Sequence, residues 1–229
     1  MITSFDCPVI YFIHRDSPNI LGLNANIGSF TVFRGSGTDL SNTEYGNSDF
    51  KFGEGYWALT LQEEGVTLDL PLSPLSSYQR QLAPGWNLIG SVSQSADFSD
   101  PQDTPDDSIL SGTLYGWNPS NFSYKATSTI EPGKGYWGLS LKECQLGVTG
   151  GGVLSTPARL PSAEIGITLR VETTGQSREL RLGLDAQAKV GLDSWDQLLP
   201  PTVPLAEQLV ASLQREQVGY ALSTDVQPL

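Results

Sequence analysis

The chain has 229 residues, of which 24 are Gly and 15 Pro; 38% are hydrophobic and only 17% are charged. So many turn formers cut the chain into short extended pieces and argue against long helices, while the even spread of aliphatic and aromatic residues excludes wholesale disorder. The net charge of −12 runs along the whole length with no Lys/Arg stripe to neutralise phosphates, so nucleic acid and anionic membrane surfaces are not the expected partners, while cations and neutral ligands stay open.

In chain order, residues 5 to 13 read as a buried strand, with Pro8 confining its first part to an edge or a strand start. The apolar run Val9 to Ile13 is short and has no Lys or Arg before it, so it does not read as a signal peptide. No segment has the apolar length needed to span a bilayer. After a turn at Asp16 to Asn19, Ile27 to Arg34 is a second strand, and the Gly-, Ser-, Thr- and Asn-rich run Gly35 to Asn47 is expected to be an exposed loop. Gly53 to Leu61 reads GEGYWALTL: a Gly-x-Gly turn followed by strict alternation, with Trp57, Leu59 and Leu61 on one face and Tyr56, Ala58 and Thr60 on the other. Val66, Leu68, Leu70 and Leu72 alternate in a further strand or extended connector. Leu82 to Gly90, LAPGWNLIG, opens a second set of strands, with Trp86 and Leu88 on one face, and continues through Ile109 to Trp117.

Gly133 to Leu141, GKGYWGLSL, then repeats the earlier motif after a period of about 80 residues, the signature of one supersecondary unit built twice. The run Gly150-Gly151-Gly152 with Pro157 and Pro161 forms a linker by composition. Beyond it, Ile165, Ile167, Leu169 and Val171 alternate, Thr173 to Gln176 turn, and Leu180, Leu182 and Leu184 alternate again, which predicts a β-hairpin with a four-residue loop. In the tail, Leu205, Leu209, Val210 and Leu213 have helical spacing, but prolines at 200, 201 and 204 pull towards an extended segment, and both readings stay open. The expected fold is all-β. Tandem small antiparallel β modules occupy residues 1–81 and 82–149, a linker 150–161, and a partial β-sandwich 162–229.

Few residues suggest chemistry. Trp57, Trp86 and Trp137 alternate in phase with leucines and are expected in the core, where aromatic rings bury large areas. Tyr56 and Tyr136, on the opposite face, and Trp117, beside a turn, are the candidates for a surface that stacks on a ligand such as a glycan. Asp97, Asp100, Asp103, Asp106 and Asp107 crowd into one loop; a solvated acidic loop is the favoured reading, and Ca²⁺ is the ion such hard oxygen ligands would take. Their spacing matches no EF-hand. His14 is the only histidine and joins no metal-ligand pair, and no Gly-x-Ser-x-Gly elbow or phosphate-binding loop occurs. A two-carboxylate glycosidase leaves no sequence signature of its own, but the acids cluster in loops away from the Trp-Leu-Leu strands. Cys7 and Cys144 are the only cysteines; two inert thiols are favoured over a single bridge joining the repeats.

Taken together, LAPGWNLIG at Leu82 to Gly90, GTLYGW at Gly112 to Trp117 and PGKGYW at Pro132 to Trp137 resemble a repeat of bacterial extracellular and cell-surface proteins. In that repeat a GWNLIG strand opens the unit and a GKGYW strand closes it. The first copy departs from the pattern: GEGYW is present, but residues 5 to 10 read Phe-Asp-Cys-Pro-Val-Ile where GWNLIG belongs. Leu182 to Leu184, Ala188, Gly191 to Asp193, Asp196 to Pro201 and Leu222 to Asp225 are similar to a β-sandwich segment that often follows such repeats, with a departure at Lys189-Val190. The resemblance implies secretion or surface display and a non-catalytic structural, spacer or adhesion role beside other modules of a larger extracellular protein. A carbohydrate-binding module accessory to a secreted enzyme is the alternative.

Overall fold

The computed structural model describes residues 9–11, 30–36, 39–44, 53–60, 74–118, 123–152, 162–174, 176–193, 195–201, 209, 211–215 and 218–229. Those residues are all-β, in several sheets and without a helix. The chain divides into two compact units, Met1–Pro157 and Ala158–Leu229.

The first unit contains β1 (Val9–Tyr11), β2 (Phe30–Ser36), β3 (Asp39–Glu44), β4 (Tyr56–Thr60), β5 (Ser77–Leu82), β6 (Gly85–Ile89), β7 (Ala96–Asp97), β8 (Gln102–Thr104), β9 (Tyr115–Asn118), β10 (Ser123–Ala126), β11 (Thr129–Ile130), β12 (Tyr136–Ser140) and β13 (Cys144–Thr149). Eight of these strands form one sheet in the order β1-β4-β2-β6-β12-β9-β10, with β3 paired to β2. Its two halves have the same plan. Each Gly-Tyr-Trp strand sits in the middle: β4 lies between β1 and β2, and β12 lies between β6 and β9. Beyond them, β3 and β10 extend β2 and β9 in turn. Ile10 pairs with Trp57 as Leu88 pairs with Trp137, so Val9-Ile10-Tyr11 stands where Asn87-Leu88-Ile89 stands in the second half. The two strands hold equivalent places by backbone pairing although their side chains differ.

Strands from both repeats therefore share one sheet. The halves meet at Ser36–Asn87 and where Gly53-Glu54-Gly55 runs antiparallel to the end of β6. There the Gly55 N–H donates to the Leu88 carbonyl at 3.1 Å, and the Gly90 N–H donates to the Gly53 carbonyl at 2.7 Å. Gly53 and Gly133, the first glycine of each motif, have φ of 69° and 74°, the left-handed turn conformation that glycine adopts without a Cβ penalty. The backbones at Gly53 and Gly90 come so close that a Cβ on Gly90 would sit 2.6 Å from the Gly53 carbonyl carbon.

A second sheet, β5-β13-β8, is made of three strands that the sequence reading passes over. In β13, Cys144, Leu146 and Val148 are buried and alternate with Gln145 and Thr149, which are exposed. Tyr78 of β5 reaches across to donate its hydroxyl to the Gly90 carbonyl at 2.6 Å. Its ring packs on Gly53, and burial holds the phenol far above its ordinary pKa. Next to it, Arg80 donates to the Gly53 and Leu88 carbonyls and pairs with buried Glu54 at 3.3 Å. Cys144 is a free, buried thiol beside the Ser140 hydroxyl, and Cys7 lies outside the described residues, as do the 66–72 segment and His14.

The run 35–47 is not simply a loop, because Asp39–Glu44 pairs with β2. A polar strand needs no apolar face when backbone pairing alone holds it at a sheet margin, so composition hides it.

The second unit is a four-stranded sheet of β14 (Ile165–Thr173), β15 (Gln176–Asp185), β16 (Gln197–Leu198) and β17 (Leu222–Pro228), in the order β14-β15-β17-β16. The predicted hairpin is present, but its ladder closes at Thr173–Gln176, so the loop is two residues and not four. β15 pairs with β17 in parallel. Leu180, Leu198, Leu222 and Val226 are buried, whereas every residue of β14 is exposed. Of the segment left open between helix and extended chain, 202–208 and 210 lie outside the described residues, and Leu213 forms an antiparallel bridge with Leu222.

Candidate functional site

Tyr136 is a correction. Expected to be the exposed face of its strand, it is buried, because β6 and β12 are covered on both sides. Alternation assigns side chains to faces; only a second layer decides whether a face is wet. The Tyr136 ring lies over Gly116, where an added Cβ would stand 3.1 Å away, and its hydroxyl accepts the Glu131 N–H at 2.9 Å. Burial pushes the phenol up to about 12. Tyr56 lies in β4, whose side chains are outside those described. Trp137 is fully buried, and Trp86 is buried with Tyr115 edge-on to it at 5.9 Å between ring centroids.

Trp117 remains half-exposed, and the structure supplies it with a neighbour that sequence spacing could not reveal. Tyr124 of β10 is its cross-strand partner, with ring centroids 5.1 Å apart and planes inclined at 69°. The Tyr124 hydroxyl accepts the indole N–H of Trp137 at 3.0 Å, which ties this pair to the core. The rings are edge to face, so they do not make one flat platform; a sugar could lie on one ring face and touch the other ring's edge.

The five aspartates do not all line one cleft. Asp100, Asp103 and Asp106 line a cleft of about 420 Å³ with Gln79, Gln102 and Gln145, while Asp97 and Asp107 do not line it. Asp97 accepts from the Ser99 N–H and hydroxyl at 3.0 and 3.1 Å, a local turn. Asp103 accepts the Ile109 N–H at 2.6 Å, and Asp106 accepts the Asp107 N–H at 3.1 Å, so part of the carboxylate capacity is already used in holding the loop. Among the described residues, no three or more His, Cys, Asp or Glu side chains come together as a metal-holding group.

A charged cluster that sequence reading missed lies in the second unit. Arg215 pairs with Asp225 of β17, pairs with Asp196 at 3.3 Å and donates to the Gly191 carbonyl at 2.6 Å, all three side chains being largely buried. Burial raises the Asp196 carboxyl above its ordinary range against the pull of the Val226 N–H and of Arg215. Burial also works against the Arg215 charge, but the Asp225 hydrogen bond and the surrounding carboxylates outweigh it and hold the guanidinium above its ordinary value. The cluster joins β17 to the 191–196 turn and to the 213–215 segment. Charges 10 to 19 residues apart in sequence carry no motif, so only the fold could assemble them.

The fold and these sites define an all-β protein of two units whose repeated motif lies in a shared sheet. Comparison with protein-family models, with curated proteins and with solved structures gives no match.

Proposed function

We propose that the chain is a non-catalytic structural, spacer or adhesion module of a secreted or surface-anchored bacterial protein, working beside other modules of a larger extracellular chain. The observation that supports this reading is the use made of the repeated motif. Trp137, Leu139 and Tyr136 are buried, and Gly133 turns the chain into their strand. A motif repeated for its packing specifies a scaffold, whereas a motif repeated for its chemistry would keep polar groups converging on a cleft. If the module takes an ion, Ca²⁺ is the one that hard carboxylate oxygens suit, although Asp100, Asp103 and Asp106 line one cleft without converging as a ligand set.

The half-exposed Trp117–Tyr124 pair favours a second reading, a carbohydrate-binding module accessory to a secreted enzyme. One set of measurements separates the readings. The purified chain is incubated with soluble and insoluble polysaccharides, and both retention and release of reducing ends are followed; surface labelling of the source bacterium reports location. The module reading expects surface labelling and no turnover. Retention that Trp117→Ala abolishes, in a chain with unchanged circular dichroism, would favour the carbohydrate-binding reading. Turnover that disappears with Asp103→Asn, or strictly cytosolic protein, would overturn the proposal.

A further inference from the structure

The hairpin of the second unit has one face that fits neither a solvated surface nor a finished core. Cross-strand register puts Ile165 opposite Leu184, Ile167 opposite Leu182 and Leu169 opposite Leu180, with Val171 following. The other face carries Thr168, Arg170, Glu172, Glu179 and Arg181, with ion pairs Arg170–Glu172 and Arg181–Glu179 on its exposed surface. That face suits water. On the aliphatic face, Leu180 is buried, but Ile165 and Ile167 are 55% and 62% exposed, and Leu169, Val171, Leu182 and Leu184 are exposed as well. Single exposed aliphatics are ordinary, but a contiguous patch of six marks an interaction surface.

We infer that this face packs against the same face of a second copy of the chain, two hairpins closing face to face about a two-fold axis. Area supports this occupant. The six side chains expose about 500 Å² on each copy, near the top of what a monomer's largest apolar patch spans, and an isologous contact uses the patch twice, burying about 1,000 Å², where specific interfaces begin. Charge supports it too. Each copy carries −12, so a charged contact face would repel its twin, yet the six side chains are uncharged, and the charged groups that register places on the same face, Arg178 opposite Val171 and Asp225 opposite Leu182, are engaged within the chain, Arg178 with the Leu209 carbonyl and Asp225 with Arg215. The geometry is that of a β-sandwich, two sheets about 10 Å apart with interdigitated aliphatic faces, the second layer coming from the partner. Because the two acidic bodies repel at long range, the dimer should tighten as salt rises and screens them.

The test is sedimentation of the full 229-residue chain over a range of concentrations up to about 100 µM, a span that reveals weak and moderate dimers alike. The expected result is a monomer–dimer equilibrium that shifts towards dimer with added salt. Ile167→Glu and Leu182→Glu should each weaken it at least about tenfold, as charging a central contact does, while Thr168→Glu on the opposite face leaves it in place. A second measurement does not depend on a charged variant folding. In a Cys7→Ser, Cys144→Ala background, Ile167→Cys should form a covalent dimer with a thiol cross-linker spanning about 10 Å, the separation of packed sheets, and Thr168→Cys should not. A chain that remains monomeric at the highest concentration overturns the inference. So does a dimer indifferent to Ile167→Glu and Leu182→Glu, or cross-linking at 167 and 168 alike, which would indicate edge-to-edge pairing of β14.

Discussion

Gly53 and Gly133 occupy the same place in the repeated motif and have nearly the same backbone angle, yet they should respond differently to the same substitution. Either Gly→Ala change places a Cβ in the left-handed region, which costs about 1–2 kcal/mol. At Gly133 nothing lies within 4 Å of the new atom, so the penalty ends there. At Gly53 the Cβ would stand 2.3 Å from Cε2 and 2.5 Å from Cδ2 of Tyr78. The Tyr78 ring is itself pinned, because its hydroxyl is bonded to the Gly90 carbonyl and its body is buried. Displacing it adds an overpacking term of about 1–3 kcal/mol and the loss of a buried hydrogen bond of about 1 kcal/mol. Gly53→Ala should therefore cost about 3–6 kcal/mol against about 1–2 for Gly133→Ala, read from urea melts with the slope held constant. In a thermal scan the difference amounts to roughly 10 °C for a unit of this size. A double-mutant cycle tests the cause: Tyr78→Ala should cost less in the Gly53→Ala chain than in the wild type, since it removes the clash along with the ring. Equal losses at the two glycines, within about 1 kcal/mol, would show that the ring does not press on the turn and would refute the reasoning.

Two further outcomes follow from the charged groups. Replacing Arg215 with Met strands Asp196 and Asp225 without their cation, which should cost about 3–5 kcal/mol near neutral pH. The Asp196 carboxyl is already raised above its ordinary value, so the native state holds its proton more tightly than the unfolded chain does, and its contribution is greatest at low pH and lost as pH rises through the folded value. Removing the guanidinium raises that carboxyl further, so the deficit of Arg215→Met relative to wild type should shrink as pH falls from about 7 to about 4; a deficit independent of pH in denaturant melts would mean that packing, not charge, carries the cluster. At the acidic cleft, if the ion reading holds, millimolar Ca²⁺ should raise the melting temperature and EDTA reverse the gain, because binding to the native state alone stabilises it. An unchanged melt, or the same gain with Asp103 and Asp106 both changed to Asn, would leave the aspartates as a solvated loop.

Local patterns were enough for much of this chain. Composition pointed to an all-β fold, the alternation from Ile165 to Leu184 marked the β14–β15 hairpin, and Gly53 and Gly133 marked two turns by the conformation that only glycine adopts cheaply. These features are legible because each depends on residues close in sequence. What the tertiary structure decided depends on strand register and on contacts that no local pattern specifies. Alternation sets Tyr136 on the face opposite Trp137 but gives the face and not its cover; the covering of both sides of β12 makes this candidate binding residue part of the core. Trp117 acquired its partner Tyr124, the aspartates split between a cleft and its flank, and Arg215 met Asp196 and Asp225, all through register and chain crossing. Polar strands stay hidden too, because a backbone hydrogen bond leaves no mark on the side chains that flank it: Ser77–Leu82 pairs with distant Cys144–Thr149, and Asp39–Glu44 with the strand just before it.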